Sequence, residues 1–265
     1  MMIKVLLHIM RLEIQDLKEL FENEISVKYI LEDLICYDSS VEDNKQKAIS
    51  LMKEQDFDIL GFKENNRISH FIDKKGKVRT IKIEDIITEV TPLSDVMNLL
   101  TQKKRLFVLR NNIITGIVTR ADLQKTPVLL FLFGILSIFE VLCTELIRKC
   151  YIGDEWETGI EYSLIGAKKT FKKLKEKNEE LELLDCTYLS TKLDVLSNTE
   201  VFHDLLNQIG EKSDEDKDYL LKNVKDLRNS VFHPRDYLKE KGWNDINQIY
   251  KKIEMLIKKI EALLK

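Results

Sequence analysis

The chain has 265 residues, 44% hydrophobic and 33% charged, with three prolines and nine glycines; it is long enough for two modest domains, and so few breakers predict a mainly helical protein. A net charge of −3 excludes a globally basic nucleic-acid binder, so such a partner would need a local patch. Cys36, Cys143, Cys150 and Cys186 have neither paired spacing nor a histidine cluster beside them, which argues against zinc and a disulfide framework and predicts a cytoplasmic protein.

In chain order, Met1–Met10 is apolar but carries Lys4 and His8, has no small-residue cleavage site and runs into a charged helix, Glu13–Glu24. It reads as an amphipathic leading segment. A weak internal repeat follows. Phe57–Phe62 leads through Asn65-Asn66 into Arg67–Ile72, and Arg105–Arg110 leads through Asn111-Asn112 into Ile113–Val118. Both are strand, Asn turn, strand, since Asn tolerates the left-handed backbone a tight hairpin needs. A helix precedes each, Asn44–Glu54 and Leu93–Gln102, so the halves predict a pseudo-twofold pair. The pattern changes near Lys125-Thr126-Pro127, dividing the chain into domains 1–126 and 127–265.

Beyond Pro127 nearly every segment reads as helix. Val128–Phe139 is the most apolar, but Glu140 and Glu145 interrupt it soon after; it falls short of the ~20 residues a bilayer requires, predicting a buried bundle helix and no membrane association. A helix over Trp156–Lys177 carries Lys168, Lys169, Lys172, Lys173, Lys175 and Lys177, a basic patch or a solvated face. Shorter pieces fill Leu181–Gln208. A helix starting at Ser213 presents Leu220, Val224, Leu227 and Val231 at helical spacing, with Ser213 and Asp216 as a capping box. The last helix, Asn244–Leu264, has one long apolar stripe. Together these predict a four-helix-type bundle.

The Ser213 helix ends in Arg228-Asn229-Ser230-Val231-Phe232-His233-Pro234. At ~100° per residue, Asn229 and His233 fall opposite the apolar stripe and one turn apart, with Arg228 on the flank. Pro234 disfavours helical geometry at His233, placing it at the helix end, where the dipole favours imidazolium. Cleaving RNA without metal needs a base for the 2′-OH, an acid for the leaving oxygen and cations for the phosphate. His233 can serve both proton transfers, Arg228 suits the phosphate, and Asn229 can orient the imidazole or bind phosphate.

Two resemblances organise these observations. Thr91-Pro92-Leu93-Ser94-Asp95-Val96 and Gly116-Ile117-Val118-Thr119-Arg120-Ala121-Asp122-Leu123, with the repeated helix–hairpin, resemble a tandem CBS domain. The resemblance implies an α+β CBS pair holding an adenine nucleotide (AMP, ADP, ATP, S-adenosylmethionine or a related ligand) at Thr91, Thr119, Arg120 and Asp122, with Thr119 on phosphate and Asp122 on the ribose hydroxyls. Helix N-capping is the competing account of Thr119 and Asp122, with nucleotide binding the favoured one. Asp73 and Gly76 occupy the equivalent places in the first copy, predicting one competent nucleotide cleft. The Arg228-Asn229…His233 motif in an all-α bundle resembles the signature of HEPN ribonucleases. That resemblance implies catalytic Arg228, Asn229 and His233 with no catalytic cofactor or metal, RNA as substrate, a homodimer pairing two motifs, and a role as a toxin, with an antitoxin partner, or in antiviral defence. Together they predict a nucleotide-regulated, metal-independent endoribonuclease. The alternative is a non-catalytic adenine-nucleotide sensor whose helical domain dimerises and binds a partner protein or RNA.

Overall fold

The computed structural model describes residues 16–38, 45–64, 67–177, 181–232 and 242–265. Contacts divide the chain into Glu22–Val128 and Leu129–Lys265, the latter together with residues 16–21 among those described.

Among the described residues, the first unit holds eight strands: β1 (Glu32–Asp33), β2 (Cys36–Asp38), β3 (Ile59–Glu64), β4 (Arg67–Asp73), β5 (Val78–Thr80), β6 (Ile86–Thr88), β7 (Arg105–Arg110) and β8 (Ile113–Thr119), with helices α1 (Lys45–Glu54) and α2 (Leu93–Gln102). They form two four-stranded sheets, β2-β3-β4-β5 and β1-β8-β7-β6. Each has a parallel pair, β2 with β3 or β6 with β7, joined to an antiparallel hairpin. The hairpins share one ladder. Ile59 faces Asp73 as Arg105 faces Thr119, Glu64 faces Arg67 as Arg110 faces Ile113, and the register slips at Phe62/Lys63 as at Val108/Leu109. Asn111 and Asn112 have φ of 48° and 64°, the left-handed pair a two-residue hairpin turn requires; Asn65 and Asn66 lie outside the described residues.

Leu34, Ile59, Ile81, Phe107 and Ile114 form a core drawing on both sheets. On the other face of the first sheet, Ala48 and Met52 of α1 pack with Tyr37, Leu60 and Ile72, each large side chain contributing about 1.5–3 kcal/mol by leaving water. Leu93, Val96, Met97 and Leu100 are the buried positions of α2. The fourth strand of the second sheet, β1, comes from ahead of the first repeat and pairs with β8.

The second unit is helical: α3 (Thr126–Cys150, its first turn in the other unit), α4 (Ile165–Lys175), α5 (Leu189–Leu196), α6 (Glu200–Gln208), α7 (Asp214–Phe232) and α8 (Trp243–Leu264). α8 packs on α6 and α7, and α5 packs on α7; the Phe131 and Tyr250 rings join α3 to α8. α3 corrects the expectation of too short an apolar segment: at 25 residues it is long and apolar enough to cross a bilayer by length and composition. Here 56% of its most apolar window is buried, as in the core helix of a bundle. The two acids that interrupt the apolar run are paired in the fold, Glu140 with Lys192 at 3.3 Å and Glu145 with Arg148 at 2.8 Å. α4 is shorter than the helix expected from Trp156, because Gly159 takes φ of 84° and only 3₁₀ turns precede Ile165. The predicted cap of α7 is present: Ser213 Oγ accepts from Asp216 N at 3.1 Å and donates to Asp216 Oδ2 at 2.7 Å.

Candidate functional site

The last strand of the second repeat ends in extended backbone at Thr119 and passes into a 3₁₀ turn, Arg120–Gln124. The Thr119 N–H and hydroxyl donate to Asp122 Oδ2 at 2.8 and 2.9 Å, so both residues perform the capping role. The remaining oxygen, Oδ1, lies 2.8 Å from Lys125 Nζ. Lys125 also donates to the carbonyl of Ile30 and to Glu32. Burial lowers the pKa of this ammonium, but its bonds to Asp122 and Glu32 outweigh that, so the balance lies above the ordinary lysine value.

Thr119, Arg120 and Asp122 line a cleft of about 490 Å³. Its opposite wall is Phe57, Asp58 and Ile59 from the start of the first hairpin, and Ile35 and Ile117 add apolar surface. Both repeats therefore build the cleft. Its apolar walls suit a flat ring, and its polar lip offers a hydroxyl and a carboxylate. The Arg120 guanidinium donates to the carbonyls of Leu100 and Thr101 at 2.6 and 2.8 Å, closing the C-terminus of α2. Thr91 is not a lining residue; its Oγ1 accepts from Thr88 N at 3.1 Å. The far wall was missed from sequence, where its only signal was the repeat itself.

In the helical unit, Arg228 and Asn229 do come together. They line a second depression, about 210 Å³, with Lys225 of α7 and with Tyr188, Leu189 and Ser190 at the start of α5. The Arg228 guanidinium lies over the Tyr188 ring, 5.5 Å from its centroid, while the ring stays 64% exposed. Tyr188 and Ser190 were not anticipated. His233 and the side chain of Phe232, the remainder of the motif, lie outside the described residues. Glu140 is committed to Lys192, itself buried. The neighbouring Cys143 thiol is fully buried, which pushes its pKa well up. The lysines of α4 are exposed; Lys168 pairs with Glu157 at 2.8 Å and Lys175 covers the Phe171 ring. Among the described residues no group of His, Cys, Asp and Glu could hold a metal ion.

No protein-family model matches the chain, and no curated protein matches it in sequence. Solved structures do. A conserved protein from Pyrococcus horikoshii is 19% identical, with a TM-score of 0.32, over 37% of this chain and 88% of that one. CBSX2, solved in complex with AMP, is 15% identical, with a TM-score of 0.31, over 37% and 92%. Protein MJ1004 from Mathanocaldococcus jannaschii is 16% identical, with a TM-score of 0.34, over 77% and 99%.

Proposed function

We propose that residues 22–128 are a CBS pair that binds an adenine nucleotide in the Thr119–Asp122 cleft, and that the ligand regulates an endoribonuclease of the HEPN kind in the helical unit. The observation that carries the first half is the duplicated ladder, which puts Thr119 and Asp122 opposite a wall supplied by the other repeat. Ring stacking against Phe57 and Ile117, with the ribose hydroxyls on Asp122, would use the cleft's apolar and polar faces together.

The second half is supported by Arg228 and Asn229 sharing an open depression with an exposed aromatic ring. Arg228 would receive the phosphate bidentately, Tyr188 would stack a base, and His233 would remove the 2′-OH proton and return one to the leaving 5′-oxygen. One histidine motif per chain is sparse, so the reading includes a homodimer that pairs two motifs. Purified protein would be incubated with total RNA and chelator, with and without AMP, ADP, ATP or S-adenosylmethionine. Cleavage that leaves 2′,3′-cyclic phosphate ends and disappears in His233→Ala is the expected result. Activity persisting in that variant refutes the assignment. The Arg228–Tyr188 stack favours a second reading, since it gives Arg228 a partner without substrate: a non-catalytic sensor that binds a protein or RNA. RNA left intact under every condition selects that reading.

A further inference from the structure

The pseudo-twofold of residues 22–128 generates a second cleft, about 670 Å³, at the closing turn of the first repeat. The positions equivalent to Thr119 and Asp122 are Asp73 and Gly76, of which Asp73 lines this cleft. Asp73 is engaged: Oδ1 accepts from the N–H groups of Lys75 and Lys77, both at 3.0 Å, and Oδ2 meets Arg79 at 3.2 Å. Gly76 has no side chain to offer. The turn therefore lacks the paired hydroxyl and carboxylate that Thr119 and Asp122 give the other cleft.

The cleft is instead rich in cations. Six cationic side chains and three carboxylates line it, a surplus of three positive charges in a chain whose net charge is −3. Three of the cations are neutralised: Lys74 by Asp56 and Asp58 at 3.1 and 3.2 Å, Arg79 by Asp73, and Lys103 by Asp85 at 2.7 Å. Lys75, Lys104 and Arg105 have no ion pair among the described residues. Arg105 is half-buried, and its guanidinium lies 5.5 Å above the centre of the Phe71 ring, which packs in turn on Phe107. None of its side-chain donors is hydrogen-bonded among the described residues. Burial lowers its pKa, the expected response of a charge short of compensation.

We propose that this cleft binds an oligophosphate, free or as the tail of a nucleotide, with Arg105 as the anchor and Lys75 and Lys104 as flanking contacts. The charge surplus matches an anion with three or more negative charges. A planar guanidinium with open donors favours phosphate oxygens over a point anion. Asp58, Lys104 and Arg105 border the nucleotide cleft as well, so occupancy of one alters affinity at the other, and reciprocally. The site does not depend on the ribonuclease reading.

Calorimetry on the intact chain would compare sodium tripolyphosphate, pyrophosphate, orthophosphate, AMP and ATP. Tripolyphosphate should bind one per chain and more tightly than orthophosphate. Lys75→Ala with Lys104→Ala, both exposed and safe for folding, should weaken tripolyphosphate by at least about tenfold, as should Arg105→Gln. Asp122→Asn, in the other cleft, should leave it unchanged. ATP weakened by Lys75→Ala while AMP is unaffected would identify a nucleotide tail as the source; tripolyphosphate alone responding would identify the free anion. Absence of tripolyphosphate binding overturns the proposal. So does an equal loss in a Lys169→Ala, Lys172→Ala control on α4, which would mean general attraction to lysines.

Discussion

Lys125 Nζ stands 2.8 Å from Asp122 Oδ1, so the carboxylate expected to hold a ribose is shared between a backbone cap and an ammonium. A nucleotide must therefore compete with, or bind beside, Lys125. Asp122→Ala should weaken adenine-nucleotide binding by about 1–3 kcal/mol, the cost of leaving buried hydroxyls unpaired. It should also lower stability by about 0.5–2 kcal/mol through the lost cap. Lys125→Met separates the effects, since it frees Oδ1 and keeps the cap: calorimetry should find nucleotide affinity unchanged or raised. A large loss of affinity in Lys125→Met would place the ligand on the lysine instead.

Tyr188 tests the Arg228 depression without touching the motif. If a base stacks on its ring, Tyr188→Ala should raise KM for short RNA substrates with little change in kcat, at about 1–3 kcal/mol per base, and Tyr188→Phe should restore most of the binding. An equal fall of kcat in both variants would point to a different use of the ring.

A composite site predicts complementation. Arg228→Ala and His233→Ala chains, each expected to lose on the order of 10²-fold or more in rate, should recover activity on mixing, because each mixed dimer carries one intact Arg228 and one intact His233 on opposite chains. Light scattering that finds only monomer at micromolar concentration in an active preparation would rule this arrangement out.

The Glu140–Lys192 pair predicts a stability effect independent of any ligand. Lys192→Met leaves Glu140 poorly solvated and should cost roughly 1–3 kcal/mol, below the range for fully buried pairs because Glu140 retains some exposure. Replacing both, with Glu140→Leu, should recover much of the loss. A urea-denaturation double-mutant cycle measures the coupling.

Local pattern carried the hairpins and most helices into the sequence reading. Asn111-Asn112 demands a left-handed turn, and Ser213 with Asp216 demands a helix start, wherever they occur in a fold. What was not legible depends on partners distant in the chain. Arg120 read as a nucleotide ligand, yet its guanidinium meets the carbonyls of Leu100 and Thr101, acceptors that exist only once α2 ends beside it. Phe57 and Tyr188 were unremarkable aromatics until folding set them against Thr119 and Arg228 respectively. Glu140 made the α3 segment look interrupted because its cation, Lys192, comes from α5, outside the apolar run.

The pairing of β1 with β8, Glu32 opposite Ile117 and Asp33 opposite Gly116, means that neither repeat is a self-sufficient module. The second repeat borrows its outer strand from ahead of the first, so excising it would leave β8 with a bare row of amides and carbonyls, an invitation to intermolecular pairing. A fragment beginning after Thr80 should accordingly be prone to aggregate, whereas one that retains Glu32 and Asp33 closes its own edge.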